Sequence, residues 1–385
     1  MQPALMANPQ NPNLPGDSQP LLIIPQEIIV EILFRLPVRS LLKFKSVCKS
    51  WRSLISDPKF VKTHLTLSSA ANDGTHSRLM IRYVGPYFGL KSCYLYSLFD
   101  KQTPNVVDLN YPLENTYRTA WFVGSSNGLV CIATDEFKLC VWNPSTGKSK
   151  IFSGFNVRLL LNLRIKYGFA YDESIDDYKV VSIFDVEGKL SSFETEVYTL
   201  GTSSWRRIGK FPCGGPLSLT GKFANGALHW FSTGNPYEIF PTVICSLNLS
   251  SETYGKIALP SFGGRCSGVR LDVLDGSLCV ICNNAGSHAD LWVLKEYGIE
   301  ESWTKLFVIP YPTSPFSGVY SRPFCSLKNG ELLMDFKSRL AVYNPKDGII
   351  RYLDIQNYET FYEVCPYVES LVSVGADNLT QGQHP

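Results

Sequence analysis

Reactive side chains are sparse in this chain, and their spacing decides what they can do. Gly124-Ser-Ser-Asn-Gly128 fits the G-x-S-x-G pattern of a hydrolase nucleophile elbow. An elbow needs a strand, a sharp turn and then a helix. Here Leu129-Val-Cys-Ile132 follows, a β-type run, so the predicted structure is a hairpin with Asn127-Gly128 at its tip. The five histidines (His64, His76, His229, His288 and His384) stand at no metal-ligand spacing. His229, beside Trp230, reads as a satisfied histidine rather than a base. Cys279-Val-Ile-Cys282 fits C-x-x-C, but it lies in the strand pattern LDGSLCVICNN. On a strand, positions i and i+3 face opposite sides, so neither a metal site nor a redox pair follows. No Gly-rich phosphate loop opens a helix. The expectation is a protein without catalytic residues, cofactor or metal.

What remains is the chemistry of binding, and it is concentrated between Leu22 and Leu65. Leu22, Ile23 and Ile24 run into Pro25; Ile28, Ile32 and Leu36 then recur at every fourth position, and Pro37 stops the pattern. Leu41, Leu42 and Phe44 follow, then Val47, Cys48, Trp51, Leu54 and Ile55. Spacings of three and four place such residues on one face of a helix. Pro25 suits a first helical position, Pro37 separates helix one from helix two, and Asp57-Pro58 is a cap followed by a helix start. Three or four short helices in 44 residues are near the lower limit for an independent core. The apolar supply exceeds what so small a fold can bury, which predicts a face that closes against a partner.

This segment resembles an F-box. The matching residues are Ile24-Pro25, Ile28, Ile32, Leu36-Pro37, Leu41-Leu42 and Val47-Cys48-Lys49-Ser50-Trp51, with Ile24 standing where the family usually has Leu. The resemblance implies docking to a Skp-type adaptor and, through it, to a cullin–RING ubiquitin ligase. It implies that Ile24, Pro25, Ile28, Ile32, Leu36, Pro37, Leu41, Leu42, Val47, Cys48 and Trp51 form or support that contact.

Composition frames the rest. The chain has 385 residues, 44% of them hydrophobic and 18% charged, with a formal net charge of +2. A sizeable core follows, and neither nucleic acid nor a membrane surface is the expected partner. No run of 18 apolar residues is present. The helical segment is locally basic, carrying Arg35, Arg39, Lys43, Lys45, Lys49, Arg52, Lys59 and Lys62. Residues 1–20 lack the charge and apolar stretch of a secretory signal and read as a disordered arm, as does the tail 375–385. Eleven cysteines without framework spacing read as reduced thiols, and the expected compartment is cytoplasm and/or nucleus.

Beyond residue 77 the chain turns β-rich. A two-run unit recurs at 93–109, 139–152, 195–209, 244–260, 289–310 and 340–355. Its markers, Tyr96, Trp142, Tyr198, Leu247, Trp292 and Tyr343, stand 45 to 56 residues apart. Asn127-Gly128, Asn225-Gly226, Asp275-Gly276 and Asn329-Gly330 each precede an apolar run, as tight hairpin turns do. A β repeat near 50 residues means propeller blades, about six of four strands each, with seven as the alternative count. Strand alternation puts the tight turns on one end and the long connections on the other. The first unit lacks an innermost strand, and residues 360–374 are expected to supply it and close the ring.

This half resembles the F-box-associated, kelch-like region of plant F-box proteins. The matching residues are Gly124–Cys131, Val141-Trp-Asn-Pro-Ser-Thr146, Gly168-Phe-Ala-Tyr-Asp172 with Asp177-Tyr-Lys-Val-Val181, Val197-Tyr-Thr-Leu200 with Ser204-Trp205, and Tyr367-Val-Glu-Ser-Leu371. The domain expectation is an F-box over 21–66 and a propeller over 77–374. The functional expectation is a non-catalytic substrate receptor of an SCF-type ubiquitin ligase, its target unknown. The alternative is a propeller module that binds a protein or glycan without the ligase.

Overall fold

Four helices open the described chain: α1 Gln26–Phe34, α2 Val38–Phe44, α3 Lys49–Ser56 and α4 Pro58–Ala70. The structure is a computed structural model. It describes residues 24–375 apart from 71–75, 85–87, 99–105, 113–119, 135–137, 155–164, 186–191, 217, 234–239, 264–265, 285–286, 312–320, 327–328, 337–338 and 354–360. The expected arm, and all of the expected tail but Gly375, lie outside the described residues.

The prolines set the helix starts, one residue later than expected. Pro25 caps α1 from outside, at φ −54 and ψ 145, and its carbonyl accepts the N–H groups of Ile28 and Ile29. Pro37 does the same for α2. Asp57 caps α4 as expected: its Oδ1 accepts the Lys59 N–H at 2.8 Å and the Phe60 N–H at 3.3 Å, satisfying two orphan donors. Helix α4 runs to Ala70, past the expected boundary at 66. Leu33, Val38, Leu41, Ile55 and Phe60 form the helical core, joined by Leu371 from the far end of the chain.

Six antiparallel four-stranded sheets follow. The first comprises β1 Ser77–Val84, β2 Phe88–Tyr94 and β3 Val107–Asp108, completed by a strand from the C-terminus. The second holds β4 Ala120–Ser126, β5 Leu129–Thr134, β6 Lys138–Trp142 and β7 Ser149–Ser153; the third holds β8 Lys166–Asp172, β9 Asp177–Asp185, β10 Phe193–Thr199 and β11 Ser204–Lys210. The fourth holds β12 Lys222–Ala224, β13 Ala227–Ser232, β14 Val243–Asn248 and β15 Tyr254–Ala258; the fifth holds β16 Gly268–Leu274, β17 Ser277–Asn284, β18 His288–Leu294 and β19 Trp303–Pro310. The sixth holds β20 Ser321–Ser326, β21 Leu332–Phe336, β22 Leu340–Asn344 and β23 Ile349–Tyr352. The closing strand is β24 Phe361–Val368, antiparallel to β1 with Ser77 opposite Val368.

Burial explains why these runs are strands. All six residues of β5 and of β13 are buried, because each blade is covered on both faces by its neighbours. Apolar clusters fill all six blade-to-blade junctions, including the one between the first and sixth blades, where Leu79 and Ile81 meet Leu333 and Val342. Gly168 lets blades three and four approach: a Cβ there would stand 2.8 Å from Leu228 and 2.9 Å from Trp230. Strand β24 is the innermost strand of the first blade, so the ring has no open edge there.

Three details correct the expectations. Tyr96 lies past the end of β2 and is 48% exposed, so it does not hold the position that Trp142 and Tyr343 hold. Asn127-Gly128, Asn225-Gly226 and Asp275-Gly276 form two-residue turns with positive φ at both positions, but Asn329-Gly330 lies in a five-residue loop between Ser326 and Leu332. Nine cysteines are free thiols, but Cys266 and Cys282 are joined as a disulfide, their Cα atoms 5.8 Å apart. Their separation of 16 residues gave no framework signal; the β16–β17 hairpin brings them together.

Candidate functional site

Helix α1 is apolar on two sides. Ile29 and Phe34 pack on the helical core and Leu33 is fully buried in it. Ile24, Ile28 and Ile32 are 53%, 50% and 49% exposed. Spacing by four aligns Ile28 and Ile32 in one outward stripe, and Ile24 stands just before the helix, ahead of Pro25. Val47, in the α2–α3 connection, is 62% exposed, and Pro25, Pro37 and Cys48 also face solvent. The Cys48 thiol sits 3.1 Å from the Ser50 hydroxyl, whose hydrogen bond holds its pKa below the ordinary value.

The other expected contact residues are placed inward. Leu41 is 0% exposed and holds α2 on the core, the place of a supporting residue rather than of a touching one. Leu36, Leu42 and Trp51 are half-buried against the same cluster, with Trp51 tilted on Phe44 at 5.3 Å. The buried partners Ile29 and Leu33 escaped the sequence reading, because a helix apolar on two sides offers two periodic stripes.

The helical domain sits on the tight-turn end of the propeller. His64, fully buried, donates from Nε2 to the Leu36 carbonyl at 2.9 Å, tying α4 to the α1–α2 break. That leaves Nδ1 to accept the Ser68 hydroxyl at 3.5 Å. Burial lowers the His64 pKa, so the ring is held neutral. Lys62 reaches Asp176 in the β8–β9 turn, and Lys45 stands near Lys148 in the β6–β7 turn.

The segment after β24 is the joint. Arg78 and Glu369 pair at 2.9 Å, both buried, while Arg78 also donates to Ser92 and lies over the Tyr94 ring. Asn143 donates from Nδ2 to the carbonyls of Ser370 and Val372 at 3.1 and 2.7 Å. Its Oδ1 meanwhile accepts the Ser145 N–H and so shapes the β6–β7 turn. Leu371 enters the helical core and Val374 the core between blades two and three. Gly128 passes so close to Ser370 that no Cβ fits there.

The opposite end of the propeller is open. A cavity of about 720 Å³ lies at the mouth of the central channel, walled by β4, β12, β16, β20 and β24 and by Ser218–Thr220. Asp272 accepts an ion pair from Lys222 at 3.2 Å and from Arg322 at 2.5 Å; Glu363 pairs with Arg82 at 3.4 Å. Burial opposes the ionisation of Asp272, but Arg322, Lys222 and Arg270 outweigh it and hold its pKa at about 2. Much of the long connections expected on this end lies outside the described residues. The stretch 216–221 is partly structural: Tyr167 N–H donates to the Leu219 carbonyl and Gly221 N–H to the Tyr167 carbonyl.

The sequence motifs weighed for reactive chemistry lie in ordinary strand and core positions. Gly124–Gly128 is the β4–β5 hairpin, and Cys279 and Cys282 lie on β17. His229 is buried, with Nδ1 donating to the Lys222 carbonyl at 3.1 Å and Nε2 accepting the Tyr297 hydroxyl at 2.8 Å. No cluster of His, Cys, Asp and Glu among the described residues is arranged to hold a metal, and no described helix is long and apolar enough to cross a membrane.

Comparison with known proteins agrees with this architecture. Residues 21–63 match the F-box domain and residues 104–374 the F-box associated beta propeller domain. An F-box/kelch-repeat protein of Arabidopsis thaliana is 34% identical over 360 residues, 91% of this chain and 95% of that one. The F-box protein CPR1 of Arabidopsis thaliana is 29% identical, over 91% of this chain and 88% of that one. A further Arabidopsis thaliana F-box protein is 31% identical, over 82% of this chain and 81% of its own. With an F-box seated on one end of a six-bladed propeller and matches of this extent, the chain belongs to the plant F-box proteins that carry an F-box-associated β-propeller.

Proposed function

We propose that this chain is the substrate-recognition subunit of an SCF-type cullin–RING ubiquitin ligase. The outward stripe Ile24, Ile28, Ile32, with Val47, docks a Skp-type adaptor; Leu36, Leu41, Leu42 and Trp51 hold that stripe in place. The propeller binds a target protein at its open end. No residue of the chain need perform chemistry: a target held at a fixed distance from a ubiquitin-charged enzyme meets it at high effective concentration.

The observation that carries this reading is the exposure of Ile28 and Ile32 on one side of α1, with Ile24 just before it and Val47 beyond α2, while Leu33, Val38, Leu41, Ile55 and Phe60 are buried in the core beneath. Such a stripe is stable in water only at a cost that a partner relieves.

Copurification of the intact chain with a Skp-type adaptor and a cullin tests it. Ile28→Asp/Ile32→Asp changes only exposed positions, so the propeller should stay folded while adaptor retention falls more than about tenfold, as for loss of an interface anchor. Leu36→Ala/Pro37→Ala also removes retention but disturbs the α1–α2 break that His64 braces, so it is the less clean variant. Full retention of adaptor by the double aspartate variant, or no retention by the unmodified chain, rejects the ligase reading and leaves a propeller module that binds its partner alone.

A further inference from the structure

Among the described residues, the open channel mouth holds more positive charge than its own carboxylates neutralise. Four cations line it: Arg82, Lys222, Arg270 and Arg322. Two carboxylates, Asp272 and Glu363, take three of them in ion pairs. Both are further engaged, Asp272 by the Val273 N–H and Glu363 by the Phe122 N–H. Arg270 is left over. Among the described residues it has no hydrogen bond and no ion pair, and Asp272, Asp335 and Glu363 act on it only at longer range. Counting Asp335, four cations face three carboxylates.

The energetics point the same way. Burial and then Arg322 lower the pKa of both Lys222 and Arg270, which means that each charge is held in a place that disfavours it. An arriving anion reverses that penalty for both. Trp121 also lines the cavity, and its indole N–H, shielded from solvent, has no acceptor among the described residues. Buried donors are ordinarily satisfied, and sites built for a ligand are a common exception.

Resting on the reading of this end as the target-holding face, we infer that the channel mouth seats one anionic group of the bound target, a phosphate or a carboxylate side chain. Arg270 is its principal cation. A guanidinium meets either group through a two-pronged, charge-assisted hydrogen bond. The cavity, about 720 Å³, holds such a side chain with neighbouring residues of the target around it. Arg82, Lys222 and Arg322 tune the field, their own carboxylates keeping them from collapsing onto the ligand.

The test uses the intact chain in complex with its adaptor, titrated with two compact probes, phenyl phosphate and glutarate, and read by melting temperature and by calorimetry. At least one probe is expected to bind saturably. Arg270→Gln should weaken that binding at least about tenfold, Arg270→Lys should retain much of it, and Lys346→Gln, at the β22–β23 turn, should leave it unchanged. Phosphate alone binding assigns a phosphorylated side chain, and glutarate alone assigns an Asp or Glu. No saturable response from either probe, or equal binding by Arg270→Gln, overturns the inference. Adaptor retention is scored in the same preparation. If it is intact when the titration fails, only this inference falls; if it is absent from the unmodified chain, the ligase reading falls while the titration stands on its own result.

Discussion

At the residue scale, the buried histidines make this fold sensitive to acid. His229 is inaccessible and spends both ring nitrogens on fixed partners, the Lys222 carbonyl and the Tyr297 hydroxyl. Burial lowers its pKa from 6.5 to about 4, against weaker opposition from backbone groups of Lys222 and Ala227. The unfolded chain therefore binds a proton at a pH where the folded chain does not. The stabilisation is complete above about pH 6.5 and is lost as pH falls from there toward 4, by about 3 kcal/mol in all. His64 adds a loss of the same sign. Urea denaturation at pH 7.5 and pH 5 should show this drop. His229→Asn, which retains a donor but cannot be protonated there, should be less stable at pH 7.5 and lose less on acidification. An unchanged pH dependence in that variant would show that other groups titrate instead.

At the scale of elements, β24 and the six residues after it do two jobs at once. The strand closes the ring against β1, and Glu369–Val374 fastens the F-box to it. A chain ending at Asn357 should be insoluble or grossly destabilised, because it loses the innermost strand of the first blade and exposes β1 and the channel wall. Soluble material with an unchanged melting temperature would contradict the closure. A finer variant, Glu369→Ala, leaves Arg78 buried without its carboxylate, and should cost about 3 kcal/mol in denaturant unfolding. Most of this fold was legible before the structure. Blades announced themselves because three inner hairpins turn through Asn-Gly or Asp-Gly at positive φ, and because doubly covered strands such as β5 and β17 are apolar through their middles. The closing strand was legible by subtraction, since the first unit was one strand short. What stayed hidden depends on distance in sequence. Leu371 in the F-box core lies more than 300 residues from Leu33, and no periodicity links them. The channel cations come one from each of four blades, so no local pattern contains them. On α1 the spacing showed an apolar stripe but not which of the two stripes faces outward.

At the scale of the whole molecule, the proposed function gives the two ends of the propeller different duties. The F-box covers part of the tight-turn end through Lys62–Asp176 and the Leu371 anchor, which leaves the channel mouth facing away from it. Target changes should follow that division. Altering the exposed turns at Ser145–Lys148 or Lys346–Gly348 should leave target binding intact. The connections at the open end, including the first part of 211–221, should govern it, provided that the pairing of Leu219 and Gly221 with Tyr167 is preserved. The proximity mechanism makes a stronger demand, that the joint between the two domains be stiff. Asn143 grips two carbonyls of the joint and Leu371 fills a pocket among the helices, so Asn143→Ala/Leu371→Ala removes both fastenings. Truncating the buried leucine alone costs about 2–5 kcal/mol of local packing. The variant should still bind adaptor through α1, and should still bind target at the channel end, when each is measured separately. Hydrogen exchange should rise at α4 and at 369–374, and reconstituted ubiquitination of the bound target should slow several-fold, because the target then samples many distances from the charged enzyme. A double variant that loosens by exchange yet ubiquitinates at the original rate would show that the ligase makes no use of the fixed spacing, and that the joint serves stability alone.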